Sequence, residues 1–292
     1  MPELPEVETI KNDLSKKIIG KKIIDAVVKK PRLVKSGAKK FVKILKGNAI
    51  QKINRRGKLI IITLQKGPCL PAGRDFLLIH LKMTGQLIYQ KRNKIIGGGH
   101  GELEEKKLPG RHTHIIFEFN DKSNLYFNDL RQFGYMRIVN QQELEKTLSS
   151  FGVEPLSREF TLAHCREILR NKKTSIKQVL MNQKFIAGIG NIYADESCFL
   201  AKIKPSRRAT SLTEAEIKNL FNSIKKVLKL AIKKRGTTFN NFRDADGNRG
   251  NFIKFLKVYG RDRQKCKRCK GGIIKKIRQG GRGTHFCPQC QN

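Results

Sequence analysis

Residues 112–139, HTHIIFEFNDKSNLYFNDLRQFGYMRIV, decide the fold class. Three short apolar runs, HIIFEF, NLYF and YMRIV, are separated by Asn, Asp, Ser and Gly. Runs this short, rich in β-branched and aromatic residues and punctuated by turn formers, read as successive antiparallel strands. Toward the N-terminus the same texture recurs in IIDAVV, FVKILKG, AIQKI, KLIIITL and FLLIHLKM, back to about residue 22. The expectation is an antiparallel β domain, sandwich or barrel. Residues 65–75 (QKGPCLPAGRD) and 90–110, with the triplet Gly97 to Gly99 and Pro109, read as loops between strands.

Outside that block the period changes. Leu4, Val7, Ile10, Leu14 and Ile18 fall at three- and four-residue steps, which predicts an amphipathic helix starting almost at the N-terminus. After about 141, QQELEKTL, REFTLAHCREIL, TSIKQVLMNQ, NIYADESCFL and TEAEIKNLFNSIKKVLKLAIKK are helical segments separated by Gly, Pro and Ser. Residues 235–252 lack a period and read as a long loop. At 292 residues the chain has room for two domains, each with its own core.

Lys and Arg number 62 against 24 Asp and Glu, a net charge of +38. An excess of that size points to a polyanion, because Lys and Arg that neutralise phosphates release counterions; nucleic acid leads and an anionic membrane surface is second. A lysine-biased genome accounts for part of it. The acidic opening MPELPEVETIKNDL does not suit a signal peptide and no apolar run is long enough to span a bilayer, so a cytoplasmic, nucleoid-associated protein is expected.

Of seven cysteines, four form two CxxC pairs: Cys266 and Cys269, then Cys287 and Cys290. Two such turns offer four thiolates to one tetrahedral Zn2+, closing a structural site. IIKKI and THF between the pairs read as a β-hairpin, and the surrounding Lys and Arg suit a DNA backbone. Cys69, Cys165 and Cys198 read as packing residues. At the other end, removal of Met1 would expose Pro2 as a secondary amine, able to form an iminium with a sugar aldehyde carbon, with Glu3 and Glu6 beside it to move protons. By itself, a Met-Pro start is an ordinary N-terminus.

MPELPEVET at 1–9 resembles the opening of the bacterial formamidopyrimidine-DNA glycosylases, and further motifs of that family follow in order. They are RRGK (55–58), HLKMTG (80–85), HTH (112–114), DLRQFG (129–134), KKTSIK (172–177), GIGNIYADE (188–196), GTT (236–238), VYGR (258–261) and RGTHFC (282–287). The resemblance runs from residue 1 to 290. It implies an α+β multidomain fold: a catalytic β-sandwich domain with an N-terminal helix (1–142), a linker (143–157), a helix–two-turn–helix DNA-binding domain (158–235), a lesion-recognition loop region (236–258) and a zinc finger (259–292).

The resemblance also implies roles. Pro2 is the Schiff-base nucleophile at C1′, Glu3 the acid/base and Glu6 a helper that orients the terminus. Lys58 donates a proton and binds phosphate, and Arg282 grips phosphate beside the lesion. Asn191, at a helix start, binds backbone phosphate, and His112, Lys172, Lys177 and Tyr259 take DNA-contact positions. Met83, Arg131 and Phe133 fill the hole that a flipped base leaves.

The expected partner is double-stranded DNA with oxidised bases or abasic sites, bound by a monomer carrying one structural Zn2+. The expected activity is excision of oxidised purines followed by β- and δ-elimination. The rival endonuclease VIII-like enzymes, which act on oxidised pyrimidines, usually open with MPEGPE; Leu4 favours the purine branch. A non-catalytic damage binder would be expected to lack Pro2, Glu3 or Lys58. A basic RNA-binding protein fits the charge and the ribbon but not the acidic N-terminal helix.

Overall fold

The computed structural model describes residues 1–65, 75–91, 94–100, 108–237, 242–243 and 251–292. The chain packs into two compact units, Met1–Ser149 with Lys234–Ile253, and Ser150–Lys233 with Lys254–Asn292. Among the described residues no helix is long and apolar enough to cross a membrane.

The first unit opens with α1 (Leu4–Ile18), followed by β1 (Ile23–Val28), α2 (Ala38–Leu45), β2 (Ala49–Arg56), β3 (Leu59–Gln65), β4 (Asp75–His80), β5 (Gly85–Lys91), β6 (Lys94–His100), β7 (Thr113–Phe119), β8 (Asn124–Asp129), β9 (Tyr135–Val139) and α3 (Gln141–Ser149). The five apolar residues of the N-terminal repeat are each at most 1% exposed, so the helical period does mark the buried face. Two antiparallel sheets form, one ordered β2-β3-β4-β9 and the other β1-β7-β8-β5-β6 with the two-residue β10 (Phe242–Arg243) at its edge. One core joins both sheets and the helices: Ile10 and Leu14 from α1, Phe41 from α2, Ile60 and Ile79 from the smaller sheet, Phe117 and Phe127 from the larger.

The structure corrects the reading of 90–110 as loop. Lys94–His100 is a strand, with Gly97, Gly98 and Gly99 opposite Ile88, Leu87 and Gln86. Ladder hydrogen bonds use the backbone alone, so a glycine triplet that resembles a turn in composition can still pair. The predicted 235–252 loop is likewise interrupted by β10. Residues 92–93, 101–107, 238–241 and 244–250 of these two stretches lie outside the described residues, as do 66–74 within the 65–75 loop.

In the second unit α4 (Leu162–Arg170) begins at Thr161, whose hydroxyl accepts the His164 N–H at 3.1 Å. Next come α5 (Ile176–Met181), α6 (Asn191–Leu200) and the long α7 (Glu214–Lys233), against which α4 and α6 pack. Two turns separate α5 from α6, and one side chain shapes them. Gln183 donates to the carbonyls of Met181 and Ile189, 2.8 Å each, and accepts from Gly188 N–H at 2.8 Å. The C-terminal segment carries a hairpin of β11 (Lys275–Gln279) and β12 (Arg282–Phe286), beside which Phe199 of α6 packs with Val258, Cys266, Ile274 and Cys287.

Candidate functional site

At the start of the first unit Pro2, Glu3 and Glu6 are all buried, Glu3 at 3% and Glu6 at 1% exposure. Glu3 caps α1 from an extended backbone, and Glu6, one turn in, accepts the Glu3 N–H at 2.8 Å. The second Glu6 oxygen accepts the Thr237 N–H at 2.7 Å. One carboxylate thus fixes the residue next to Pro2 and a distant segment. Gly236 makes the approach possible: at φ +79°, a Cβ there would lie 2.7 Å from Glu6 Oε1.

Lys58 sits on the β2–β3 turn, in a sheet on which α1 packs. It is 6% exposed, unlike a solvated lysine after a turn. Arg55 braces that turn, donating to the Gly57 carbonyl and to Glu8 of α1, 2.8 Å each. The Lys58 charge also reaches His80, which sequence reasoning did not single out although it heads the HLKMTG motif. Burial first, then the positive charges of Lys82 and Lys58, push the His80 imidazole down to about 3. His80 Nδ1 accepts the Lys82 N–H at 3.0 Å, which leaves the proton of the neutral ring on Nε2.

Met83, Arg131 and Phe133 come together on two turns. Arg131 points an N–H at Met83 Sδ, 3.1 Å away, and its guanidinium lies 4.7 Å from the Phe133 ring centre. Met83 and Phe133 are 41% and 53% exposed, an apolar pair held out toward solvent. The buried Asp129 sets the geometry: its carboxylate accepts the Thr84 hydroxyl and, at 2.7 Å, the Gly134 N–H, while Thr84 Oγ1 accepts the Arg131 N–H at 3.0 Å. His112, half-buried just before β7, joins this support through its carbonyl, which accepts the Asp129 N–H at 3.0 Å.

In the second unit Asn191 opens α6 after Gly190. Its amide donates to the Gly283 carbonyl at 3.1 Å and to the Tyr259 hydroxyl at 3.3 Å, and the Tyr259 ring lies 4.9 Å from that of His285. Glu196 accepts the N–H groups of Lys257, Val258 and Tyr259 at 2.9–3.1 Å, which fixes the VYGR turn. Burial nonetheless pushes its carboxyl up. Arg282 is exposed at the start of β12, one residue from the gripped Gly283. Lys172 is half-buried, its ammonium 4.5 Å over the Phe185 ring.

Lys177 departs from the expected DNA-contact position. It is 2% exposed, and its ammonium lies 2.7 Å from Asp195 Oδ1 and donates to the Gly283 carbonyl at 2.8 Å. A charge this deep has to be paired within the fold. Asp195 in turn accepts the His285 N–H at 2.9 Å. These acids lie within GIGNIYADE, and their sequence signal is a pair of carboxylates on a helix of otherwise apolar and small residues.

The four cysteines form a cluster with every sulfur within 4.8 Å of the others. Cys266–Cys290 and Cys269–Cys287 are each 3.8 Å apart, the edge of a tetrahedron with Zn–S bonds of about 2.3 Å. Backbone N–H groups of Arg268 and Gly272 point at Cys266 and Cys269 sulfurs, 3.3 Å each, as suits thiolates. The four sulfurs, their spacing and the N–H groups aimed at them fit one structural Zn2+.

Three family models cover the chain: the formamidopyrimidine-DNA glycosylase N-terminal domain at residues 1–136, the H2TH domain of the same proteins at 151–243, and a zinc finger found in FPG and IleRS at 263–292. A formamidopyrimidine-DNA glycosylase of Pelotomaculum thermopropionicum is 40% identical over 100% of this chain and 99% of its own. The chain belongs to the formamidopyrimidine-DNA glycosylase family. The glycosylase of Listeria monocytogenes is 37% identical over both full chains. Among solved structures, a Lactococcus lactis FPG mutant in complex with Fapy-dG-containing DNA matches with TM-score 0.87 at 35% identity over both full chains. The same Lactococcus glycosylase in complex with abasic-site DNA matches at TM-score 0.86 over 99% of each chain.

Proposed function

We propose that this chain is a bifunctional DNA glycosylase and abasic-site lyase of base-excision repair, acting in the cytoplasm on oxidised purines: formamidopyrimidines, and 8-oxoguanine opposite cytosine. The observation that carries the reading is the N-terminus. Pro2 is buried at the head of a capped helix, with Glu3 beside it and Glu6 holding the backbone.

With Met1 removed, the Pro2 amine attacks C1′ as the C1′–N bond breaks, and the base departs neutral by taking a proton from water. The amine gives its own proton to the Glu3 carboxylate, which passes it to O4′ as the sugar ring opens, and an iminium joins Pro2 to C1′. Loss of a C2′ proton then expels the 3′ phosphate, and loss of a C4′ proton the 5′ phosphate. Lys58 and Arg282 supply positive charge to the leaving phosphates. Met83, Arg131 and Phe133 fill the vacated stack, with Arg131 available to the orphaned base. His112, Lys172, Asn191 and Tyr259 hold the backbone, and Lys177 acts at one remove by holding Gly283. Zn2+ keeps β11 and β12 folded and takes no chemical part.

The reading is tested by incubating the protein with an 8-oxoguanine:cytosine duplex and analysing the ends. The expected product is a one-nucleotide gap with phosphate on both sides. An intact strand, or one cut only after alkali, contradicts the lyase assignment. The Lactococcus enzyme also has a structure with oxidised-pyrimidine DNA, so faster cleavage at an oxidised pyrimidine would favour the endonuclease VIII-like specificity.

A further inference from the structure

Arg235 and Gly236 are consecutive residues with left-handed backbone, φ +61° and +79°. Glycine adopts this conformation freely and arginine resists it, so a contact must hold Arg235 in place. Asp13 of α1 supplies it: Oδ2 lies 2.7 Å from Arg235 NH2, with the Asp13 side chain 2% and that of Arg235 39% exposed. Seven residues earlier, two turns back on the same face of the helix, Glu6 takes the Thr237 N–H and the Glu3 N–H on its two oxygens. The opposite edge is closed by Asn251 N–H to the Lys234 carbonyl at 2.9 Å and Phe252 N–H to the Gly236 carbonyl at 3.0 Å. Residues 235–237 are therefore laid along α1 and gripped by two carboxylates of that helix, and the nearer carboxylate also fixes the neighbour of Pro2.

We propose that Asp13 and Arg235 are positioning residues for the reaction at Pro2, holding 235–237 in the register that lets Glu6 bind both backbone segments at once. The inference rests on the reading of Pro2 as nucleophile. A carboxylate with one oxygen on each segment is a rigid link only while both N–H groups stay in place. When the Asp13–Arg235 pair is broken, the left-handed Arg235 relaxes and Thr237 N–H withdraws. Glu6 then loses its bond to the Thr237 N–H, and the first turn of α1 loosens around Pro2. Misplacing a reacting group by about 1 Å costs up to roughly 100-fold in rate, whereas the backbone contacts proposed for His112, Lys172, Asn191, Tyr259 and Arg282 do not involve Asp13 or Arg235.

The test uses the full-length protein carrying Arg235→Ala, Arg235→Lys or Asp13→Asn. Single-turnover cleavage of a pre-formed abasic-site duplex is read at saturating enzyme, with the dissociation constant, and amide exchange of the N-terminal peptide is followed in parallel. Arg235→Ala is expected to react about tenfold more slowly at unchanged affinity, and to exchange faster over residues 3–7. Arg235→Lys should restore most of the rate, and adding Asp13→Asn to Arg235→Ala should cost little more, because the two act as one pair. Wild-type rate or wild-type exchange in Arg235→Ala, or slowing no greater than the melted fraction explains, overturns the proposal. Wild-type protein that does not cleave would overturn the proposed function instead, while exchange still judges the brace.

Discussion

At the scale of single residues, burial separates side chains that one motif places side by side. KKTSIK supplies both Lys172 and Lys177, yet Lys177 is spent between Asp195 and the Gly283 carbonyl. Lys177→Ala leaves the buried Asp195 without its ammonium partner, held among the described residues only by His285, and should lower unfolding free energy by about 3 kcal/mol, read by urea melting; an unchanged midpoint would show that the pair does not matter. His80 gives a pH signature. Its folded pKa is depressed to about 3 from 6.5, so below about 6.5 the unfolded chain binds a proton that the folded chain refuses. The His80 contribution is therefore present at neutral pH and is lost as pH falls from 6.5 toward 3. At pH 5 the loss is at most ~2 kcal/mol, and His80→Asn should flatten that part of the stability profile. Equal slopes in both proteins would contradict the assignment. The sequence motifs mark where chemistry is concentrated; which lysine reaches solvent depends on long-range partners such as Gly283, 106 positions away.

Among the elements, turns carry the exposed groups and strands hold the turns. Gly85 illustrates the constraint: a Cβ there would meet the Leu81 carbonyl oxygen at 2.5 Å, so the turn that presents Met83 closes only over glycine. Phe133→Ala removes a side chain already 53% exposed. It should leave the melting temperature nearly unchanged while slowing excision of 8-oxoguanine roughly tenfold or more, since an unfilled stack costs a few kcal/mol. Wild-type excision in that variant would remove Phe133 from the wedge. The zinc hairpin is the opposite case, an element with little apolar core beyond its cysteines. Stripping the metal, or Cys287→Ser, should disorder β11 and β12, displace Arg282 and abolish DNA binding while the first unit stays folded. Full binding by verified zinc-free protein would refute this. Helix α1 and the cysteine hairpin were legible because period and spacing are local signals. Strand β6 was not, because backbone pairing with β5 leaves no mark in a glycine-rich composition.

For the whole chain, the order of segments hides a rearrangement. Lys234–Ile253 returns to the first unit after the helices of the second, and although the helical period stops there, nothing in the sequence says which unit the segment joins. Its anchors are contacts to α1, Arg235 on Asp13 and Thr237 on Glu6; the opening motif marks Glu6, whereas Asp13 in sequence looks like part of an ordinary solvated helix face. The +38 charge suits a DNA partner without specifying chemistry; in the proposed function the chemistry rests on the amine at Pro2. The direct test of that claim is borohydride trapping on lesion-containing duplex, followed by mass spectrometry of the cross-linked peptide. A reduced iminium should yield a covalent protein–DNA adduct whose modified residue is Pro2, in a peptide lacking Met1. No adduct, or an adduct mapped to Lys58, would contradict the account.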